Sequence, residues 1–140
     1  MSARRRWAWL ALVVTTATGC PPETPQPRSW AYVQSLTIAP PGEQAALTVT
    51  YPDDATEEPT RTLVLSQGAA LALSCTWDSQ PCTVLTSSDP TVVTPYRGSG
   101  SFAGSTYASH FVVTGTAPGT ARLDIVSATG TSTISATVVP

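Results

Sequence analysis

From Trp30 to the C-terminus, apolar side chains alternate with threonine and serine. Leu47, Val49 and Tyr51 are separated by threonines. Leu71, Leu73, Cys75 and Trp77 fall on one parity, and Leu123 and Ile125 on another, with Arg122 and Asp124 between them. Successive side chains of a strand point to opposite faces, so this pattern describes strands with one face buried and one in water. It predicts strands at Ser35–Ala39, Ala45–Tyr51, Arg61–Leu65, Ala69–Trp77, Cys82–Thr86, Thr91–Pro95, His110–Thr114, Ala121–Ser127 and Thr131–Val139. Pro52-Asp53-Asp54 opens a polar turn that runs to Pro59, and Ser66-Gln67-Gly68 and Pro118-Gly119 mark two more turns. Outside the leader no segment sustains a helical apolar period. Short strands broken at regular intervals predict an all-β sandwich.

The first twenty residues follow a different pattern. Arg4, Arg5 and Arg6 precede an apolar run from Trp7 to Ala17, which is shorter than the ~20 residues a spanning helix needs. Thr18 and Gly19 are small, and Cys20 follows. A charged start, a short apolar centre and small residues describe an export signal. Ala17-Thr18-Gly19-Cys20 resembles the lipobox of bacterial lipoprotein precursors, with Ala17 where leucine is commoner. The resemblance implies cleavage before Cys20, acylation of its sulfur, and a membrane-anchored mature chain. Two or three acyl chains hold stably where one holds only marginally. Pro21, in place of an aspartate, points toward the outer membrane or cell surface. The other reading is an ordinary signal peptide cut near Ala17 or Gly19.

Pro21 to Pro27 holds four prolines in seven residues. Proline lacks the N–H that a helix or sheet interior requires, so residues 20–29 read as an extended tether. The chain then divides into a signal peptide at 1–19, the tether at 20–29 and one domain at 30–140. Beyond residue 19 it keeps four arginines against nine acids, a formal charge of −5. That balance lacks the basic footprint of a nucleic-acid binder. Of three cysteines, assigning Cys20 to lipid leaves Cys75 and Cys82. In an oxidising compartment these are expected to pair across the turn-forming Thr76–Pro81. Six intervening residues do not make a thioredoxin motif, and two cysteines with one histidine do not close a zinc site. No metal or cofactor is expected.

Ser87-Ser88-Asp89-Pro90-Thr91-Val92-Val93, then Val113-Thr114-Gly115-Thr116-Ala117-Pro118-Gly119-Thr120-Ala121, and an alternating tail to Val139 resemble the bacterial Ig-like domains of group 2 (BIG2). The likeness covers about residues 61–140. Leu85 stands where that family usually has tryptophan, and the loop between Cys75 and Cys82 and the segment from Tyr96 to Ser109 are additions to its pattern. The resemblance implies a Greek-key Ig-like sandwich serving as an adhesin, spacer or surface module, without catalytic residues.

The best candidate for contact with a partner is Tyr96–Ser109, where Tyr96, Arg97, Phe102 and Tyr107 are set among glycine and serine, as in adaptable binding loops. The bland alternative is an insertion whose aromatics cover the sandwich edge. His110, the one histidine, could be combined with Ser101 or Ser105 and Asp124 into a triad, but no nucleophile-elbow motif supports it. Asp53, Asp54, Glu57 and Glu58 could gather around calcium, yet their spacing is not an EF-hand loop, and they read as a solvated turn. Trp77 reads as a core residue by strand parity. The sequence thus predicts a non-enzymatic, lipid-anchored envelope module that binds a protein or glycan or serves as a structural element. A scaffold subunit of an envelope complex is the alternative, and a hydrolase is a minor one.

Overall fold

The structure, a computed structural model, describes residues 29–36, 42–98 and 109–140. These residues form ten strands and no helix: β1 Tyr32–Ser35, β2 Ala45–Thr50, β3 Thr60–Ser66, β4 Ala70–Trp77, β5 Gln80–Pro81, β6 Val84–Ser87, β7 Val93–Arg97, β8 Ser109–Gly115, β9 Gly119–Val126 and β10 Thr131–Val139. The all-β class follows from the alternation, because threonine and valine suit the pleated, half-buried surface of a sheet. Cys20, the proline tract, Phe102 and Tyr107 lie outside the described residues.

The strands form two sheets. One has the order β1-β4-β8-β7, with β5 continuing beside the end of β4; the other has the order β2-β3-β10-β9-β6. Pairing is antiparallel throughout the described residues except between β3 and β10, which run parallel with Thr62 beside Ser135 and Ser66 beside Val139. The inner faces share one core. Leu71, Leu73, Cys75 and Trp77 come from β4, and Phe111 and Val113 from β8. Leu63, Leu65, Leu123, Ile125, Ile134 and Val138 come from the facing sheet. Each fully buried leucine or isoleucine contributes about 1.5–3 kcal/mol of transfer free energy, so this double row is the main source of stability.

The first strand begins earlier than the sequence pattern predicts. It is Tyr32–Ser35, not Ser35–Ala39, and it pairs with Leu73–Thr76 of β4. Ala31 and Val33 are buried while Tyr32 and Gln34 are exposed, a period of two that starts right after Trp30. Residues 37–41 lie outside the described set. The seventh strand starts at Val93, because Val92 and Val93 donate their N–H groups to Asp89 O at 3.1 Å and close a turn first. After Gly115 the chain crosses from one sheet to the other through Thr116–Pro118, so Pro118-Gly119 serves a crossover between sheets.

The two ends of this sandwich-like body differ in what they carry. At one end lie the turns 66–69, 88–92 and 116–118. At the other lie the entry at Ser29–Ala31, the turns 51–59, 78–79 and 127–130, the end of β7 and the start of β8.

Candidate functional site

The entry end is held by a buried cation. Arg61 shares its inward parity with Leu63 and Leu65 and is only 2% exposed. Its Nη2 donates to Ala31 O at 2.6 Å, and its Nη1 to Pro59 O at 3.2 Å and Glu58 Oε1 at 2.8 Å. Glu58 Oε1 also accepts from the N–H of Thr133 at 3.1 Å. One guanidinium thereby ties the start of β1, the end of the 51–59 turn and the start of β10. Glu58 is therefore no member of a solvated turn. The other three acids, Asp53, Asp54 and Glu57, are exposed, and Asp54 accepts from the Thr56 N–H and hydroxyl at 2.8 and 2.7 Å. The backbone bond first, then the hydroxyl, holds the Asp54 carboxyl below its ordinary 3.8. Among the described residues no three His, Cys, Asp or Glu side chains are grouped to hold a metal.

Beside this cluster, Cys75 and Cys82 are joined as a disulfide with their Cα atoms 5.4 Å apart. Both are buried, and Cys82 N–H donates to Cys75 O at 3.2 Å, so the bridge spans neighbouring strands of a short hairpin. Asp78 and Ser79 close that hairpin with φ of 50° and 61°. Positive φ at both central residues is the requirement of a type I′ turn, usually met by Asn-Gly. Trp77, next to the turn, is in the core, and its indole N–H donates to Ser29 Oγ at 3.1 Å.

The predicted contact residues divide. Tyr96 and Arg97 are not loop residues: they end β7, paired with Val112 and Phe111, because the ladder to β8 continues through them. Both remain exposed, Tyr96 at 58%. His110 sits on the outer face of β8 and Asp124 on the outer face of β9, so the sandwich separates them. Asp124 is instead gripped by Arg122, at 2.8 Å from Nε and 3.0 Å from Nη2. Those hydrogen bonds, then the charge attraction, raise the Arg122 pKa.

Sequence reasoning missed a groove. Trp30, Tyr32, Tyr51 and Pro59, with Asp53 and Glu57, help line a space of about 350 Å³ at the entry end. Tyr32 is 50% exposed and Tyr51 60%. Trp30 is half-buried, and its Nε1 is shut off from solvent with no hydrogen-bond partner among the described residues. A second, more open space of about 430 Å³ runs on from it between β1 and β2, sharing Tyr32 and Tyr51 and reaching Val33, Ser35, Leu47 and Val49. In sequence only Tyr51 stood at the end of a predicted strand, while Tyr32 preceded the strand expected at Ser35–Ala39. Their meeting depends on β1 and β2 joining different sheets, which alternation does not reveal. No family model, curated protein or solved structure matches this chain.

Proposed function

We propose that this chain is a lipid-anchored, non-enzymatic Ig-like module of the bacterial cell envelope that binds a partner macromolecule. The Greek-key Ig-like assignment is supported by strand order. An Ig constant-type domain sets strands A, B, E and D in one sheet and C, F and G in the other. Taking β1, β4, β8 and β7 as the first set and β6, β9 and β10 as the second reproduces that partition. In this reading β2 and the 51–59 turn are an insertion after the first strand, and β3 resumes that strand beside β10.

The binding role rests on one observation above the others. Tyr32, Tyr51 and Tyr96 are all at least half exposed, and each stands at a strand terminus of the entry end. Tyrosine supplies rigid contact area at low entropic cost, and loops on a rigid sandwich are where recognition concentrates. Ser29, where the expected tether at 20–29 would join the domain, lies at this same end. Extended at about 3.1 Å per residue, the tether would hold the end within roughly 30 Å of the bilayer. The partner in this reading is a component at or near the membrane.

The lipid anchor is tested by fractionation: the wild-type chain is expected in membranes and Cys20→Ala in the soluble fraction. A Cys20→Ala chain still in membranes would remove the anchor from the proposal. The binding role is tested by cross-linking in membranes from cells expressing either the full chain or a variant lacking residues 99–108. One adduct reduced in the variant is expected, and no adduct with either chain would defeat the role.

A further inference from the structure

We infer that the groove at Trp30, Tyr32 and Tyr51 receives an extended peptide segment of a partner protein, with an arginine or lysine side chain seated among the aromatic rings. This rests on the binding-module reading above and names its site and ligand chemistry. The first argument is charge. Among the described residues, the groove lining carries the carboxylates of Asp53 and Glu57 and no basic residue. Two tyrosines and a tryptophan line the groove, and a cation over an aromatic face is attracted by the ring quadrupole. Carboxylates beside the rings add Coulomb attraction and hydrogen-bond acceptors for a guanidinium. A neutral sugar would gain nothing from the net charge of this wall.

The second argument is the continuity of the groove with an unpaired strand edge. β1 is the outermost strand of its sheet and pairs only with β4 among the described residues. Leu36 N–H donates to Ala72 O at 2.8 Å, which sets the alternation of the ladder. Tyr32 and Gln34 therefore bond toward β4, and the peptide groups of Val33 and Ser35 point the other way. These outward groups border the space between β1 and β2. A chain in β conformation can hydrogen-bond to Val33 and Ser35 there, the mode in which a peptide extends an exposed sheet edge. Across the gap, Leu47 and Val49 are only half-buried, although their parity faces the core. An added segment would cover them. Main-chain bonds along β1 and a cation beside Tyr51 are then two parts of one binding mode.

The test uses the full chain in detergent micelles and a fluorescein-labelled peptide of alternating arginine and threonine, followed by anisotropy. The same peptide with citrulline in place of arginine keeps the shape and loses the charge. The arginine peptide is expected to bind with an affinity that falls as salt rises, and the citrulline peptide to bind at least about fivefold more weakly. Tyr51→Ala and the double variant Asp53→Asn with Glu57→Gln are each expected to weaken the arginine peptide by about fivefold. All three side chains are exposed, so thermal melts matching the wild type would show that the fold is intact. Equal binding of the two peptides, no binding of either, or full affinity in both variants would overturn the inference. Tighter binding by a variant lacking residues 21–28 would also overturn it, by making the chain's own segment the occupant. If binding is lost on deletion of residues 99–108 but survives both groove variants, the groove assignment falls and the binding module stands.

Discussion

The two ends of the molecule solve the same problem of turning the chain by different means. At the end that holds turns 66–69, 88–92 and 116–118, backbone bonds join one turn to another. Gly68 N–H donates to Gly115 O at 2.8 Å, Gln67 N–H to Val139 O at 2.7 Å, and Thr116 N–H to Val92 O at 2.8 Å. At the entry end the turns bond within themselves, as Glu57 N–H does to Asp54 O and Ser127 N–H to Gly130 O. Longer connections there come from side chains: Arg61, Glu58, Trp77 to Ser29, and the Cys75–Cys82 bridge. Backbone lacing resists sequence change and fixes geometry. Side-chain ties leave the backbone of the surrounding turns able to adapt, which is what recognition loops on a scaffold need.

The largest effect is expected from cutting the main tie of the entry end. Arg61→Ala removes a buried cation, leaves Glu58 with only the Thr133 N–H as partner and Ala31 O without its donor, and should lower unfolding free energy by about 3 kcal/mol. Denaturant melts check this. A loss well below 1 kcal/mol would mean that water replaces the guanidinium and that the entry end is looser than described. A close approach of backbones at the laced end gives the next effect. A Cβ on Gly115 would lie 3.1 Å from Ser66 O and from Val138 Cγ1, whereas one on Gly130 would touch the Trp77 ring at 3.5 Å, an ordinary contact. Gly115→Ala is expected to cost about 2 kcal/mol by overpacking, and Gly130→Ala under about 0.5 kcal/mol. Similar losses would erase the contrast between the ends.

The laced end was also the more legible in sequence. Ser66-Gln67-Gly68, Asp89-Pro90 and Pro118-Gly119 carry their own turn chemistry, and β3, β4 and β9 beside them alternate cleanly. Even at the entry end, parity placed Cys75 and Trp77 on the core face with Leu71 and Leu73, and cysteine count with an expected oxidising compartment predicted the Cys75–Cys82 pairing. The entry end was read less well because its structure depends on partners distant in sequence. Arg61 sits at an inward parity before Leu63 and Leu65, a visible signal of a buried cation, but its acceptors at Ala31, Pro59 and Glu58 could not be matched to it by periodicity. Tyr32 and Tyr51 carry no local sign of meeting. The assignment of β1 and β2 to different sheets is a tertiary choice, and the groove follows from it.

Turn chemistry allows a smaller test in opposite directions. Gly68 has φ of +85° with nothing near its Cα hydrogen, so Gly68→Ala should cost about 1 kcal/mol from backbone conformation alone. Ser79 has φ of 61° without the freedom of glycine. Ser79→Gly should stabilise by about 0.5–1 kcal/mol, the relief of a left-handed residue less the added entropy of the unfolded chain. If thermal melts moved the same way for both, the entry-end hairpin would be relaxed by its disulfide rather than held in an unfavourable turn.

The smallest effect compares one motif placed at both ends. Asp54 and Asp89 each accept from the N–H and hydroxyl of the threonine two residues on, at 2.8 and 2.7 Å for Thr56 and at 3.0 and 2.6 Å for Thr91. Both carboxyls are held below the ordinary 3.8, Asp89 mainly by the Thr91 hydroxyl and Asp54 mainly by the Thr56 backbone. A carboxyl depressed in the folded state contributes stability that is fully present above its unfolded value and is lost as pH falls through the folded value. The loss is therefore expected below pH 3.8, and solvent and salt screening keep it small. Asp89 also anchors Val92 and Val93 through its carbonyl, and these valines are buried, while Asp54 orders only exposed chain. Asp89→Ala should then flatten the acid limb of the stability curve and, by removing the carboxylate that holds Thr91 in the turn while keeping the residue-89 carbonyl, loosen hydrogen exchange at Val92 and Val93. Asp54→Ala should change exchange at Thr56 and little else. Equal and local effects at both turns would show that the Asp89 turn is not coupled to the core, and that the laced end owes its order to the strand-to-strand bonds at Gly68, Gly115 and Val139 alone.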